Sequence, residues 1–265
     1  MAFCSLPKST FEQYYDPNAI VDLNGSLECP FAQDTLIQGL DELHRTFTTS
    51  GVKGDRLIGI HNNSTVHHYI AAIKHFKEII ATTYSQRCLQ HLRKWLKNDP
   101  GAHDYSLIFK YACKLEGSSE HWMDCQETLR RKIKYTVEQD VSKSDPLAPH
   151  VFPQADCLVT EYCLEMICLE KTAYCNALKN ISSLLKIGGY LVMIGVFGCT
   201  FHMAGSYKFP TLCIEEEFLK KAISDAGYAI KLLEFKPRIE KSLYSVTDAK
   251  GRYFLVACKE REVRE

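Results

Sequence analysis

Strand-length apolar runs alternate with stretches of helical periodicity along most of this chain, and that alternation confines the fold to a parallel sheet covered by helices. Arg56–Ile60 (RLIGI), Glu78–Thr82, Ala155–Thr160 (ADCLVT) and Tyr190–Phe197 read as strands, and Leu107–Cys113 as the third strand in chain order. Between them, Phe31–Phe47 sets Leu36, Leu40, Leu43 and Phe47 on one helical face, and Thr65–Phe76 does the same with Val66, Tyr69, Ile70, Ile73 and Phe76. Ser85 caps a further helix that buries Leu89, Leu92 and Leu96. Glu116–Glu138 is charged and partly helical, and Pro146, Pro149 and Pro153 mark a long loop. Tyr174–Leu185 is a helix ended by Gly188 and Gly189, and Glu215–Ala226 a helix stopped by Gly227. Ala229–Phe235 and Tyr253–Cys258 are joined by a polar, helix-free connection. That suits an antiparallel hairpin, because a parallel crossover is usually helical. The expected architecture is α/β, a doubly wound and mostly parallel sheet with an antiparallel edge. Ligands in such sheets lie beyond the carboxyl ends of the strands at the switch point, here the loops after Ile60, Thr82 and Thr160.

The 265 residues suit one domain, 1–265, with 1–50 as an N-terminal helical extension or lid. Thirty-two basic residues balance 32 acidic ones, so no long-range field draws the chain to nucleic acid or an anionic membrane. A small neutral or mildly charged substrate fits that balance better. No apolar run reaches the roughly 18–20 residues of a membrane span, and Met1–Ser9 lacks a signal peptide's basic and apolar regions. A cytoplasmic monomer without nucleic-acid or membrane partners is expected. None of the 12 cysteines forms a CxxC, and Cys157, Cys163, Cys168 and Cys175 are spaced too widely for a zinc knuckle, so free thiols are expected. Cys88 reads as a small residue on a helix surface, or else as a reactive thiol at a helix start. His61, His67 and His68 cluster around one helix start, where solvated side chains are expected and no metal; a metal site would need His61 and one of His67 and His68 to converge with a third ligand.

Several stretches carry a family resemblance. Gly51-Val-Lys-Gly-Asp55, Phe76-Lys-Glu-Ile-Ile80, Leu92-Arg-Lys-Trp-Leu96, Tyr111-Ala-Cys-Lys-Leu-Glu-Gly117, Asp140-Val141, Ala155-Asp-Cys157, Leu184-Leu-Lys-Ile-Gly-Gly189, Asp225-Ala-Gly-Tyr228 and Tyr244-Ser-Val-Thr247 fall in one register from about Phe11 to Lys259. Together they resemble the family of nicotinamide, indolethylamine and phenylethanolamine N-methyltransferases, which are class I enzymes dependent on S-adenosylmethionine. The resemblance implies a Rossmann-like seven-stranded sheet of order 3-2-1-4-5-7-6, S-adenosylmethionine as methyl donor, and a small amine or pyridine-like acceptor. Methyl transfer from a sulfonium needs positioning and desolvation more than a strong acid or base, so no catalytic residue is assigned.

Against the family pattern, the donor site is altered. The family's first loop, D-I-G-S-G-P-T, is here Gly59-Ile60-His61-Asn62-Asn63-Ser64-Thr65, which keeps Ile60 and Thr65 but replaces the aspartate and both loop glycines. Asn63 is expected to keep the turn by entering the left-handed region, while the His61 and Asn63 side chains take space the donor would need. Thr83 stands where the family's T-D-Y-S aspartate holds the ribose, and a neutral hydroxyl is the weaker partner. The family's tyrosine-rich lid falls at Ile20–Asn24, which has no tyrosine. Asp140 and Val141 match the adenine-binding pair; the competing reading of Asp140 is a turn aspartate before Ser142. Gly195 replaces the acceptor-site aspartate, and Thr211 the acceptor-side serine. Two readings follow: a methyltransferase with weakened donor binding, or a pseudoenzyme that binds a ligand or partner. The combined change Gly59→Asp, His61→Gly, Asn63→Gly and Thr83→Asp is expected to restore donor binding.

Overall fold

The computed structural model describes residues 5–18, 27, 32–117, 119–238 and 245–263. The strands are β1 (Gly54–His61), β2 (Phe76–Thr83), β3 (Ile133–Glu138), β4 (Ala155–Glu161), β5 (Leu185–Phe197), β6 (Phe201–Ala204), β7 (Tyr207–Pro210), β8 (Tyr228–Pro237) and β9 (Gly251–Lys259). Seven of them form one sheet in the order β3-β2-β1-β4-β5-β9-β8, and β6 and β7 pair separately as a hairpin. Numbered among themselves, the seven run 3-2-1-4-5-7-6, the expected order. β1 to β5 are mutually parallel and β9 is antiparallel to both β5 and β8.

Both faces of the sheet are covered, which is why its central strands read as near-continuous apolar runs. The side chains alternate between two cores. Ile58, Ile60, Ile80, Leu158 and Leu191 pack with Tyr174, Leu178 and Leu219 on one face. Leu57, Ile79, Val159 and Val192 pack with Leu43, Phe47, Phe109 and Leu129 on the other. The described α-helices are α1 (Lys8–Tyr14), α2 (Gln38–Thr49), α3 (Gln86–Lys97), α4 (Ser106–Leu115), α5 (Trp122–Lys132), α6 (Leu164–Ile167), α7 (Lys171–Ser182) and α8 (Glu216–Asp225). Among the described residues no helix is long and apolar enough to cross a membrane.

Four expectations about elements are corrected. Leu107–Cys113 is not a strand but the body of α4: Ile108, Phe109, Ala112 and Cys113 are buried while Leu107 and Lys110 are exposed, a helical period. The third strand is β3, at the sheet edge, where only Ile133 and Val137 are buried and charged neighbours are tolerated. The segment expected as a helix over Thr65–Phe76 is a 3-10 helix, His67–Ala72, and Phe76 already starts β2. Gly188 and Gly189 do not end a helix; they lie inside β5, where Gly188 has φ +82° and the register against β4 shifts. The first predicted helix is π-helical over Gln33–Ile37 before α2, and Phe31 lies outside the described residues.

All ten described cysteines are free. Cys88 is not on the surface of α3 but fully buried, its thiol pushed up to about 12 by that burial, so it is not a reactive thiol either. Thiol titration of the unreduced, unfolded protein should recover all 12 cysteines; recovering two fewer under anaerobic handling would contradict a disulfide-free fold.

Candidate functional site

The loops after β1 and β4 meet at the switch point and wall a cavity lined by Tyr15, Asn62, Asn63, His67, Glu161 and Tyr162, with Cys199, His202 and Thr247 also lining it. Asn63 shapes the first loop, but not through a left-handed backbone: among the described residues only Asn98 and Tyr162 have positive φ without being glycine. Its Oδ1 instead accepts from the Thr65 backbone N–H at 3.1 Å and from Thr65 Oγ1 at 2.7 Å, a side-chain turn in place of a glycine turn. The retained Thr65 is occupied by that bond. Tyr162, with φ 47°, stores strain at the cavity wall of the kind that clusters at binding sites.

His61, His67 and His68 are buried, not solvated, which corrects the expectation. His61 stacks on His68 with ring centroids 3.5 Å apart, and neither of its ring nitrogens has a hydrogen-bond partner. His67 Nε2 lies 2.7 Å from Glu161 Oε2, and His68 Nδ1 lies 3.5 Å from the same oxygen. Burial pushes the Glu161 carboxyl up, but His67 and His68 more than offset it and hold the group well below the usual carboxylate range. Burial lowers His68 and His202 to about 4 and His61 well below its ordinary value.

Two tyrosines fill the positions that the resemblance gives to aspartates. At Gly59, an added Cβ would lie 2.0 Å from Tyr69 Oη, because the fully buried Tyr69 ring lies directly over the glycine. At Gly195, an added Cβ would lie 2.4 Å from Tyr253 Oη and 2.5 Å from Glu165 Oε1. Glu165 is buried, accepts from the Val196 N–H at 3.1 Å, and is raised by burial to about 7. These contacts are invisible in the sequence, where each glycine reads only as a lost carboxylate.

The predicted donor positions open onto different spaces. Asn62 and Asn63 line the cavity, whereas Asp140 lines a separate polar cleft with Lys8, Arg93 and Gln139. Between them the strand ends are tied: the His61 carbonyl accepts from the Tyr84 N–H at 3.0 Å and from Gln139 Nε2 at 3.2 Å, and the Thr83 carbonyl accepts from the Gln139 N–H at 2.9 Å. Thr83 is fully buried, as is Val141, whose carbonyl accepts from Asn180 Nδ2. Asp140 Oδ1 accepts from the Ser142 N–H at 3.1 Å and its hydroxyl at 2.6 Å, the turn role named as its competing reading. Thr211 is buried and its hydroxyl meets His202 Nδ1 at 2.9 Å, so it reaches the cavity through that ring. Ile20–Asn24 lie outside the described residues. The sequence reading missed Tyr69, Glu161, Glu165 and Gln139. The one available signal was Glu161, a charge at the carboxyl end of a buried parallel strand.

The buried imidazoles make stability depend on pH. A histidine lowered in the folded state contributes its full stability above its unfolded value near 6.5, and loses it as the pH falls toward the folded value. Glu165, raised to about 7, acts oppositely: its contribution is full below its unfolded value and is lost as the pH rises through 7. His61, His68 and His202 outnumber the two raised carboxyls, Glu165 and Glu42. Stability should therefore fall by at least about 1 kcal/mol per pH unit between about pH 6 and 5. Urea midpoints at those two values check this, and a gain in stability on acidification would refute it.

Residues 5–260 match the NNMT/PNMT/TEMT family. Nicotinamide N-methyltransferase of Sus scrofa is 37% identical over 256 residues, 96% of this chain and 92% of that protein. Indolethylamine N-methyltransferase of Oryctolagus cuniculus is 39% identical over 222 residues, 83% of each chain. Among solved structures, an S-adenosylmethionine-dependent methyltransferase from Clostridium acetobutylicum aligns with a TM-score of 0.59 at 11% identity, covering 92% of this chain and 100% of that one, a likeness of fold alone.

Proposed function

The chain belongs to the NNMT/PNMT/TEMT family, and from that premise we propose that it is a small-molecule-binding member whose S-adenosylmethionine site has closed, so that donor binding is weakened or lost while the acceptor-side cavity is kept. The observation that carries this reading is Tyr69 over Gly59: the place of the family's loop aspartate is filled by a ring from within the same core. The residues here do not fit the donor. A bound donor would have to reach both Asn62 and Asp140, and the tied ends of β1, β2 and β3 lie between the two spaces that those residues line.

The ligand in this reading is a small amine or pyridine-like ring, the substrate class named for the relatives. Tyr15 and Tyr162 and the thioethers of Met166 and Met203 line the cavity, surfaces that suit a flat, weakly basic ring. The same reading takes the protein as a cytoplasmic monomer with no nucleic-acid or membrane partner. Titrating nicotinamide and tryptamine while following cavity resonances by NMR tests it. Saturable shifts at Met166 and Met203 that S-adenosylhomocysteine leaves unchanged, with no methylated product by mass spectrometry, are expected. Methylated product, or acceptor affinity that rises with donor present, would establish an active methyltransferase instead.

A further inference from the structure

We propose that His67, His68 and Glu161 form a site for a divalent transition metal, zinc being the ion their donor set suits best. The three are buried together, and their ligand atoms all lie within 4.8 Å of one another. His67 and His68 are adjacent in sequence, so their rings diverge at the backbone. They still converge on one carboxylate because one reaches with its far nitrogen and the other with its near nitrogen: His67 Nε2 is 2.7 Å from Glu161 Oε2 and His68 Nδ1 is 3.5 Å from it. The rings stand at 73° to each other with centroids 5.2 Å apart. With metal bonds of about 2.0–2.1 Å, tetrahedral ligand atoms lie about 3.4 Å apart. The His68–Glu161 separation, 3.5 Å, is close to that value, and the His67–Glu161 contact, 2.7 Å, must open by about 0.7 Å.

A second observation points to a ligand. His68 is fully buried, yet neither of its ring nitrogens makes a hydrogen bond; Nδ1 faces Glu161 at a distance too long for one. An ordinary core histidine satisfies at least one nitrogen. A metal ion would take up that lone pair and the second Glu161 contact at once. His61, stacked on the His68 ring at 3.5 Å, holds its orientation. His67 and Glu161 line the cavity, so the fourth coordination position faces it, the open arrangement of three protein ligands and one exchangeable one. Two neutral imidazoles and one carboxylate form a mixed nitrogen and oxygen set that suits zinc better than calcium or magnesium. Binding would displace any proton held between His67 and Glu161 into solvent. The site does not depend on whether the donor pocket is closed.

Cobalt(II) chloride titrated into the reduced full chain provides the test. One equivalent should bind with visible ligand-field absorption and without the thiolate-to-cobalt charge-transfer band that a cysteine site would give. Zinc chloride should displace it and raise the melting temperature. Glu161→Gln and His67→Gln should each weaken cobalt binding at least about tenfold and abolish the zinc-induced rise in melting temperature. If Glu161→Gln fails to fold, His67→Gln at the cavity wall carries the test. No saturable binding, a thiolate band, or binding unaltered in the folded variants would overturn the proposal.

Discussion

Aspartate placed at Gly59 alone is expected to destabilise the protein by at least about 3 kcal/mol and to leave donor binding unimproved. The new Cβ would stand 2.0 Å from Tyr69 Oη, with the carboxylate beyond it forced into a fully buried wall. Overpacking of that kind costs about 1–3 kcal/mol, and an unpaired buried charge adds to it. Tyr69→Ala alone empties the same space and should cost about 3–5 kcal/mol, the range for large aromatic deletions. The double variant should lose less than the two singles together, by about 1–3 kcal/mol, because each change relieves the defect of the other. Urea unfolding of the four proteins measures that coupling, and additivity within about 0.5 kcal/mol would disprove the claim that Tyr69 occupies the aspartate's place. The structure thus amends the four-residue repair expected from sequence: Gly59→Asp, His61→Gly, Asn63→Gly and Thr83→Asp should restore donor affinity only when Tyr69→Ala is added.

Truncating Glu42 is expected to cost a similar amount, about 3–5 kcal/mol, for a different reason. Arg252, 1% exposed, donates from Nη1 to Glu42 Oε1 at 3.0 Å and from Nη2 to Oε2, and Lys236 Nζ approaches the same carboxylate at 3.0 Å. This pair bolts α2 to the antiparallel edge of the sheet, between residues 210 positions apart. Burial pushes Glu42 up against the pull of Arg252 and Lys236. Glu42→Ala strands the Arg252 guanidinium in the core, whereas Glu42→Leu with Arg252→Met removes both charges and should recover most of the loss. Chemical denaturation distinguishes them; equal losses in the single and double variants would mean that the ion pair is not the cause.

Legibility in the sequence followed the range of the interactions. β1, β2, β4 and β5 are readable because burial on both faces leaves short apolar runs bounded by turn residues and spaced by helical stretches. Leu107–Cys113 is equally apolar, and a short apolar run alone does not separate strand from helix; the alternation of buried and exposed positions along α4 does. β3 was hidden because an edge strand carries charges that resemble those of the helix before it. In the site, the loss of the family's aspartates was plain, but its meaning was not. Tyr69 over Gly59 and Tyr253 over Gly195 are contacts between residues 10 and 58 positions apart, and only the fold brings them together. The burial of His67 and His68 is hidden in the sequence for the same reason: Glu161, the carboxylate that faces both rings, lies 94 residues from His67.

The central claim is a donor site closed from within, and calorimetric titration of the unmodified protein with S-adenosylmethionine and S-adenosylhomocysteine tests it most directly. Exchanging the ribose-binding carboxylate for the Thr83 hydroxyl forfeits about 1.5–3 kcal/mol of charge-assisted hydrogen bonding. The filled position at Gly59 adds at least one further loss of about 1.4 kcal/mol, each of which is tenfold. Both ligands should therefore bind at least about 100-fold more weakly than they do to a family member with the aspartate and glycine loop intact; micromolar binding of either one would contradict the account.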